Sequence, residues 1–398
     1  MSRLPSASRS TVFVLVGLVL LAFNLRPAAV SVGPVLAEVR SGLAMSATTA
    51  GLLTSLPVLA FAGFGALAPA LARRVGVHRV TLLALVSLVV GLFARVTVSG
   101  VWSFLALSML ALAGMAMANV LLPSLVKLHF PDRVGRVTSL YTGALAVGLT
   151  AALTLTVPVS TVGGDWRFGL GAWAVLALLA ALPWLSLAGH DRTLEAQPHD
   201  VRLTDVARTR LGLAMALFFG LQSMHAYAIF GWFAQLWRDN GYSPTAAGLL
   251  VGLVAATSIP LSLWLPAVVA RTDRQATILV VVMACYPVAY IGLMVAPHDL
   301  ALLWAVVAGA ATCTFPLILV LIGLRARTTS GTAALSGFTQ SAGYLLAAAG
   351  PFTVGALYDA TGGWTWPLWF LVALTVPQLA VGAYVARPAY VEDQLSRS

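Results

Sequence analysis

The chain has 398 residues, of which 60% are hydrophobic and only 9% are charged. A soluble globular protein carries about 25% charged residues, and a disordered chain combines low hydrophobicity with high charge, so both classes are excluded. The remaining class is a polytopic membrane protein. The net charge of +10 does not indicate nucleic-acid binding, because the basic residues are spread through short loops and do not form one solvated face.

Twelve apolar segments reach the length of a transmembrane helix, which needs about 20 residues. They are 11–36, 48–71, 78–98, 101–127, 136–160, 167–188, 210–237, 245–270, 275–296, 299–324, 330–357 and 365–386. We therefore predict an all-α polytopic membrane protein with twelve transmembrane helices. In this prediction, residues 1–188 form a first six-helix bundle, 189–209 a cytoplasmic loop, and 210–398 a second six-helix bundle.

The distribution of arginine and lysine predicts the orientation of these spans. With the N-terminus inside, eighteen basic residues fall in the inner segments and four in the outer segments, namely Arg40, Arg95, Arg167 and Arg238. We therefore expect a multi-pass protein of the inner membrane with both termini in the cytoplasm. Each loop arginine is interpreted as an orientation anchor near the lipid headgroups.

The two halves contain an internal repeat. Residues 46–69 (SATTAGLLTSLPVLAFAGFGALAP) and 243–266 (SPTAAGLLVGLVAATSIPLSLWLP) both begin with Ser, carry AGLL at the same offset and end with Pro. Two bundles in the same orientation predict a pseudo-two-fold axis along the membrane normal. Secondary transporters of the major facilitator type have this architecture, with a site near the midplane between the halves. No filter-like segment favours a channel.

Arg26 is the basic residue that we place deep inside a span, in AFNLRPAAVSVGP. An arginine cannot lose its proton at ordinary pH, and a charge within the bilayer costs at least about 2.5–3.5 kcal/mol. Every Asp and Glu lies at a span end or in a loop, so no carboxylate is expected at the same depth. We predict that Arg26 faces a wet cavity and binds an anionic or strongly polar ligand. The alternative is that it binds helix-end carbonyls or extends towards the interface.

Other polar residues within spans are weaker candidates for substrate contacts. His225 lies in the middle of span seven, one turn after Gln222, and is also a candidate proton relay, although packing histidines are common. The further candidates are Asn119, Tyr141, Gln340, Tyr344 and Trp232, with Tyr227 as another wall of the cavity. Each could instead join neighbouring helices. Glycines are expected to allow close helix approach, among them Gly143, Gly148, Gly343, Gly350 and Gly355.

The sequence contains no clustered catalytic set, such as H-E-x-x-H or paired carboxylates within the membrane. Its six histidines are scattered. We therefore expect that the protein is not an enzyme and has no catalytic residues, no metal site and no cofactor.

Three segments carry a resemblance to a known family. They are FNLRPAAVSVGPVLAEVRSGLAMSATTAGLLTSLPVLAFAGFGALAPALARRVG (23–76), GLQSMHAYAIFGWF (220–233) and GYLLAAAGPFTVGALYDATGGW (343–364). They are similar to the cyanate and 2-nitroimidazole transporter family (CynX/NimT type) of the major facilitator superfamily, and the likeness covers nearly the whole chain. The resemblance implies the major facilitator fold and a small-molecule substrate.

The same resemblance identifies a gating loop after span two. The superfamily signature there has the form G-x-x-x-D-R-x-G-R-R, and its basic positions are represented by Arg74 and Arg79. Arg73 occupies the position of the acid and Pro69 that of the first glycine, so the usual charge latch is altered. The Gly-Pro signature of proton-driven exporters is absent from span five (TGALAVGLTAALTLTVP), which weakens the exporter interpretation.

These observations predict a secondary active transporter that works by alternating access. The cargo is a small polar solute, either anionic and cyanate-like or a small heterocycle, with Arg26 as its main anchor. The expected partners are the small-molecule substrate, a coupled proton or counter-substrate, and the lipid bilayer, but no nucleic acid; we expect a monomer. The alternative is a proton-coupled efflux pump for nitroimidazole-like or other drug-like compounds.

Overall fold

The computed structural model describes residues 9–187 and 203–395, and every regular element within these ranges is helical. Of the predicted loop 189–209, residues 189–202 lie outside the described residues. The first half of the chain consists of α1 (Arg9–Val30), α2 (Leu36–Gly42), α3 (Ala47–Ala60), α4 (Ala66–Val75), α5 (Val77–Arg95), α6 (Val101–His129), α7 (Val134–Gly163) and α8 (Trp166–Leu187).

The second half has the same succession of long helices. It consists of α9 (Leu203–Val206), α10 (Arg210–Asp239), α11 (Pro244–Arg271), α12 (Gln275–Val295), α13 (Ala301–Thr312), α14 (Thr314–Leu324), α15 (Thr329–Ala347), α16 (Ala349–Thr361), α17 (Thr365–Val385) and α18 (Glu392–Leu395). Eleven helical segments of the described chain are long and apolar enough to cross a membrane. The pair α15 and α16 forms the twelfth predicted span, whose many Gly, Ser and Thr residues make it less apolar. The twelve-helix fold is thus confirmed.

The first predicted span, 11–36, is a shorter continuous helix than expected. Helix α1 ends at Val30, and a 3₁₀ turn at Gly33–Val35 leads into the short α2. Pro27 stays within α1, whereas Pro34 lies in the 3₁₀ turn. Proline has no N–H group and a fixed φ, so it is well suited to the start of a new turn.

The molecule has two ends, which we name by the chain termini. The terminal side carries the start of α1 and the end of α17, together with the connections near residues 75–77, 129–134 and 271–275. The far side carries the opposite helix ends, near residues 42–47, 95–101, 239–244 and 361–365. These names require no assumption about which side is cytoplasmic.

The two halves touch closely towards the far side. Gly355 of α16 lies against the Ala47 carbonyl of the first half, and Gly51 of α3 lies against the backbone of Phe352. A Cβ atom at Gly33 would overlap the carbonyl oxygen of Phe230 in α10. Only residues without a side chain allow backbones to approach so closely. The far side is therefore closed, and we call these glycine contacts the far-side closure.

The predicted close-packing glycines differ in their surroundings. Gly148 approaches the backbone of Phe23, Gly343 that of Ala216, and Gly350 that of Met224, so these positions join helices within one half. The prediction was wrong for Gly143, because no described heavy atom beyond the adjacent part of its own helix lies within 4 Å of the position that a Cβ atom would take there. Gly143 can therefore serve as a control for substitutions at the packed glycines.

The repeated segments begin with the same N-cap. The hydroxyl of Ser46 accepts a hydrogen bond from the Thr49 amide at 3.1 Å, and that of Ser243 accepts one from the Ala246 amide at 3.2 Å. A serine in this position satisfies one of the free N–H groups of the first helical turn. The 197-residue shift seen in the sequence thus corresponds to structurally equivalent helix starts at α3 and α11.

A buried arginine secures the terminal side of the second half. The Arg325 guanidinium donates to the carbonyl oxygens of Val385 at 2.8 Å and Ala386 at 2.7 Å, and to the Gln275 side chain at 2.6 Å. The backbone of Arg325 also accepts a hydrogen bond from the Val391 amide. One side chain thus connects the ends of three helices.

Replacing Arg325 with methionine is expected to destabilise the protein, because buried carbonyl groups lose charged hydrogen-bond donors. The expected loss is on the order of 3 kcal/mol. Thermal unfolding of the purified protein in detergent, followed by tryptophan fluorescence, should show a Tm several degrees lower. The control is Arg274→Gln, which alters an exposed arginine on the same side. An unchanged Tm in Arg325→Met would contradict this role.

Candidate functional site

Arg26 lies in α1, four residues before its end at Val30, and is half-buried. Its guanidinium lies beside the Tyr227 hydroxyl of α10 and within electrostatic range of Tyr344 in α15. The ion pairs of the described residues do not include Arg26, so no carboxylate there neutralises it. The charge therefore lies between helices of the two halves, with neutral hydroxyl groups as its neighbours.

Aromatic rings form a wall next to this charge. The Tyr344 ring stacks on Phe61 with 4.9 Å between centroids, and its edge meets Phe219 at 4.8 Å. Phe61 begins a π-helical turn, Phe61–Gly65, between α3 and α4. Such turns are rare and occur frequently at functional sites, because the extra residue alters the direction of the side chains that follow. Arg26, Tyr227, Tyr344 and Phe61 form what we call the central cluster.

His225 lies away from the central cluster, inside the second half. Its Nδ1 atom is 2.8 Å from the Tyr290 hydroxyl, and its ring stacks on Tyr286 at 4.3 Å. Residues two apart on a helix point about 200° apart, so His225 faces α12 when Tyr227 faces Arg26. The structure thus brings Tyr227 into the cluster and leaves His225 outside it.

Gln222 belongs to the same buried group as His225. Its side-chain oxygen accepts hydrogen bonds from Tyr286 at 3.1 Å and from Gln378 at 3.0 Å, and its amide nitrogen donates to the Thr312 carbonyl at 3.4 Å. These bonds join α10 to α12, α13 and α17. The geometry is that of a polar connection between helices of one half.

The other predicted site residues are distributed along the bundle. Trp232 is fully buried and donates to the Pro351 carbonyl at 3.1 Å, close to the far-side closure. Gln340 donates to the Ser336 hydroxyl at 2.8 Å. Asn119 is half-buried, and Tyr141 is buried next to Thr138. Their roles in substrate binding stay predictions.

The gating-loop arginines Arg73, Arg74 and Arg79 are all exposed on the terminal side. The first two belong to the last turn of α4. A cation near the C-terminal end of a helix interacts favourably with the partial negative charge there. This position agrees with a loop at the membrane surface, while the gating role stays a prediction.

Arg95 is a charged residue whose position differs from the sequence-based expectation. We expected an orientation anchor in an outer loop, but Arg95 is 0% exposed and ends α5 inside the bundle. The signal was present in the sequence, because Arg95 falls within the predicted span 78–98. Arg95 and Arg325 are thus both buried, whereas both were expected to be orientation anchors near the lipid headgroups.

A carboxylate from the second half caps a helix of the first half at the far side. Asp359 accepts hydrogen bonds from the amides of Ala47 at 2.9 Å and Thr48 at 2.5 Å, and from the Thr48 hydroxyl at 2.7 Å. An anion is favoured there by the free N–H groups and the positive end of α3. A second cross-half pair joins Arg238 to Glu38 at 2.7 Å.

We expect the far-side closure to weaken only in strong acid. Desolvation raises the pKa of Asp359, but hydrogen bonds from Thr48 and Ala47 and the charge of Arg40 lower it, and the net pKa lies below the usual value. A carboxylate with a lowered pKa stabilises the closed form above its ordinary pKa near 4, and this contribution is lost as the pH falls through the lowered value.

Distances between spin labels can check this expectation. Cysteines at Val162 and Val295, in a background with Cys285→Ser and Cys313→Ser, place labels on exposed far-side positions of opposite halves. The distance should stay constant between pH 7 and pH 5 and increase below about pH 4. Asp359→Asn should lengthen it at pH 7. If this variant gave the wild-type distance at pH 7, the cap would have no part in closure.

Comparisons with known proteins agree with this architecture. The family model for the Major Facilitator Superfamily matches residues 12–348. The chain is 36% identical to the uncharacterized transporter YycB of Bacillus subtilis (strain 168) over 95% of this chain and 94% of the relative. It is 32% identical to the 2-nitroimidazole transporter of Escherichia coli (strain K12), covering 96% and 97%, and 27% identical to the cyanate transport protein CynX of the same organism, covering 92% and 95%.

A solved structure supports the fold independently of close sequence similarity. The nucleoside transporter NupG superposes with a TM-score of 0.76 at 14% identity, over 94% of this chain and 99% of that chain. At this identity the likeness concerns the fold alone. With the family match and the full-length relatives, the chain belongs to the major facilitator superfamily and is a membrane transporter that resembles the cyanate and 2-nitroimidazole transporters.

Proposed function

We propose that this transporter moves a small polar anion by alternating access and that Arg26 is the main substrate anchor. The observation that carries the proposal is the position of Arg26 between the halves without a carboxylate partner among the described residues. Two relatives are named for cyanate and for 2-nitroimidazole, which are a small anion and a small heterocycle. Both have the size class that we propose for the cargo.

The central cluster has the chemistry that a small anion requires. A guanidinium group offers several N–H donors in one plane and binds planar anions strongly. The Tyr227 hydroxyl can donate a further hydrogen bond to the same guest, and the rings of Tyr344 and Phe61 limit the space around it. An anion there would exchange its hydration for charged and neutral donors, whereas a cation would be repelled by Arg26.

The proposal also assigns an access route. The far side is closed by the glycine contacts and the Asp359 cap, so the half-buried Arg26 would be reached from the terminal side. The excess of basic residues on the terminal side favours a cytoplasmic location for it. The structure would then correspond to an inward-facing state, and transport would require the far-side closure to open while the terminal side closes.

Uptake by the purified protein in proteoliposomes tests the proposed cargo. Radiolabelled cyanate, 2-nitroimidazole and the drug-like cation ethidium should be compared with protein-free vesicles, with and without a proton gradient. We expect accumulation of cyanate well above the vesicle background and none of ethidium. Transport of ethidium without transport of cyanate would overturn the anion proposal and favour the efflux pump. Uptake of 2-nitroimidazole alone would assign a neutral heterocycle as cargo and would also overturn it.

A further inference from the structure

A buried arginine of the first half has no carboxylate partner among the described residues. Arg95 is fully buried, and the hydrogen bond from its Nη2 atom to the Ser31 hydroxyl is long at 3.4 Å. Its Nε atom has no hydrogen-bond partner among the described residues. Arginine stays charged at ordinary pH, and an uncompensated charge within a bundle is strongly unfavourable. The guanidinium therefore needs an anionic or strongly polar neighbour.

Two carboxylates of the far side are engaged with other arginines. Glu38 pairs with Arg238 at 2.7 Å, and Asp165 pairs with Arg167 at 3.4 Å. Neither forms an ion pair with Arg95 within the part of the chain that the structure describes. The compensation of Arg95 therefore does not come from these side chains.

Arg95 lines a small cavity together with another unsatisfied group. The Ser108 hydroxyl is also buried and has no hydrogen-bond partner within residues 9–187 and 203–395. The cavity measures about 20 Å³, enough for roughly one water molecule or one monatomic ion. Gly33 and Tyr227 line it as well, so it lies between the far-side closure and the central cluster.

We propose that Arg95 and Ser108 form a second anion site, which binds a small monovalent anion of halide size. The guanidinium supplies the charge and the Ser108 hydroxyl supplies a neutral donor, whereas Ser31 lies outside the cavity lining and accepts a hydrogen bond from Arg95. This site adjoins the central cluster and shares Tyr227 with it, but it is a separate site because Arg26 does not line the cavity. The proposal requires neither transport nor a role for Arg26.

Thermal unfolding of the purified full chain tests the site. Sodium bromide should raise the Tm of the wild-type protein by about 2 °C or more relative to sodium gluconate at equal ionic strength. The difference should disappear in Arg95→Met and shrink in Ser108→Ala. It should persist in Arg26→Gln and in the exposed control Arg274→Gln. These two variants separate failure of this site from failure of the proposed function.

Sodium cyanate provides a test of size in the same assay. A cavity of this volume should favour bromide over a triatomic anion, so a larger effect of cyanate that also depends on Arg95 would contradict a halide-sized site. A crystal of the wild-type protein grown with bromide should show an anomalous peak within direct contact distance of the Arg95 guanidinium. This measurement decides the question even if Arg95→Met does not fold. A bromide effect that is unchanged in Arg95→Met and in Ser108→Ala, or no anomalous peak at this position, would overturn the proposal.

Discussion

Replacing Arg26 with glutamine is expected to reduce anion uptake in proteoliposomes by about 100-fold. Charged hydrogen bonds to a buried guest contribute roughly 1.5–3 kcal/mol each, and every 1.4 kcal/mol corresponds to about a tenfold change in affinity. Glutamine keeps a polar side chain but removes the positive charge of the central cluster. The variant should still fold, because no ion pair with a carboxylate of the described residues is broken.

Two further variants, Arg26→Lys and Arg274→Gln, serve as controls for this experiment. Arg26→Lys keeps the charge but loses the planar arrangement of donors, and it should retain partial uptake. Arg274→Gln removes an exposed charge from the terminal side and should transport like the wild-type protein. A Tm close to that of the wild type would show that Arg26→Gln is folded. Full uptake by this folded variant would remove the basis of the anion proposal.

Replacing Gly33 with alanine is expected to abolish the far-side closure. The added Cβ atom would overlap the Phe230 carbonyl oxygen, which belongs to the backbone of α10 and cannot move away by a side-chain rotation. Overpacking of this kind costs about 1–3 kcal/mol, enough to change the ratio of two conformations by roughly 5- to 150-fold. Uptake should fall by about tenfold or more, since the closed form is required in every transport cycle.

The label pair at Val162 and Val295 provides a direct readout of this change. The distance should be longer in Gly33→Ala than in the wild-type protein. Gly143→Ala is the matched control, because it makes the same substitution in a helix of the same half, where no described atom of another helix lies within 4 Å of the added methyl group. Its distance and uptake should equal those of the wild type. A wild-type distance in Gly33→Ala would show that the two backbones can separate locally without opening the far side.

The fold could be predicted from the sequence because the bilayer constrains each span by length and apolarity. Even the less apolar α15 and α16 correspond to one predicted span, 330–357. The position at which α1 ends could not be predicted, because Pro27 and Pro34 look alike in the sequence. Only the structure shows that Pro27 is accommodated within the helix and that Pro34 begins a turn.

Two residues of the central cluster, Arg26 and Tyr344, could be selected from the sequence as polar groups within apolar spans. Arg26 was found because a deep charge is rare in a membrane span. Tyr227 was ranked below His225, although the two point to opposite faces of α10, because nothing in the sequence indicates which face meets α1. Tyr227 lies about half the chain length from Arg26 in the sequence, so the contact between these two residues depends on how the two halves meet.

The starts of α3 and α11 correspond to each other in the repeat but differ in the hydrogen-bond donors that they offer. Shifting Ala47 by 197 residues gives Pro244, the first residue of α11, which has no amide hydrogen to donate. Of the three donors to Asp359 in the first repeat, the Ala47 amide therefore has no counterpart in the second, whereas the amide and hydroxyl of Thr48 correspond to those of Thr245. A single proline at a helix start thus removes one of three donors from the second copy, so the two helix starts differ in how strongly they can bind a carboxylate even though their backbones correspond.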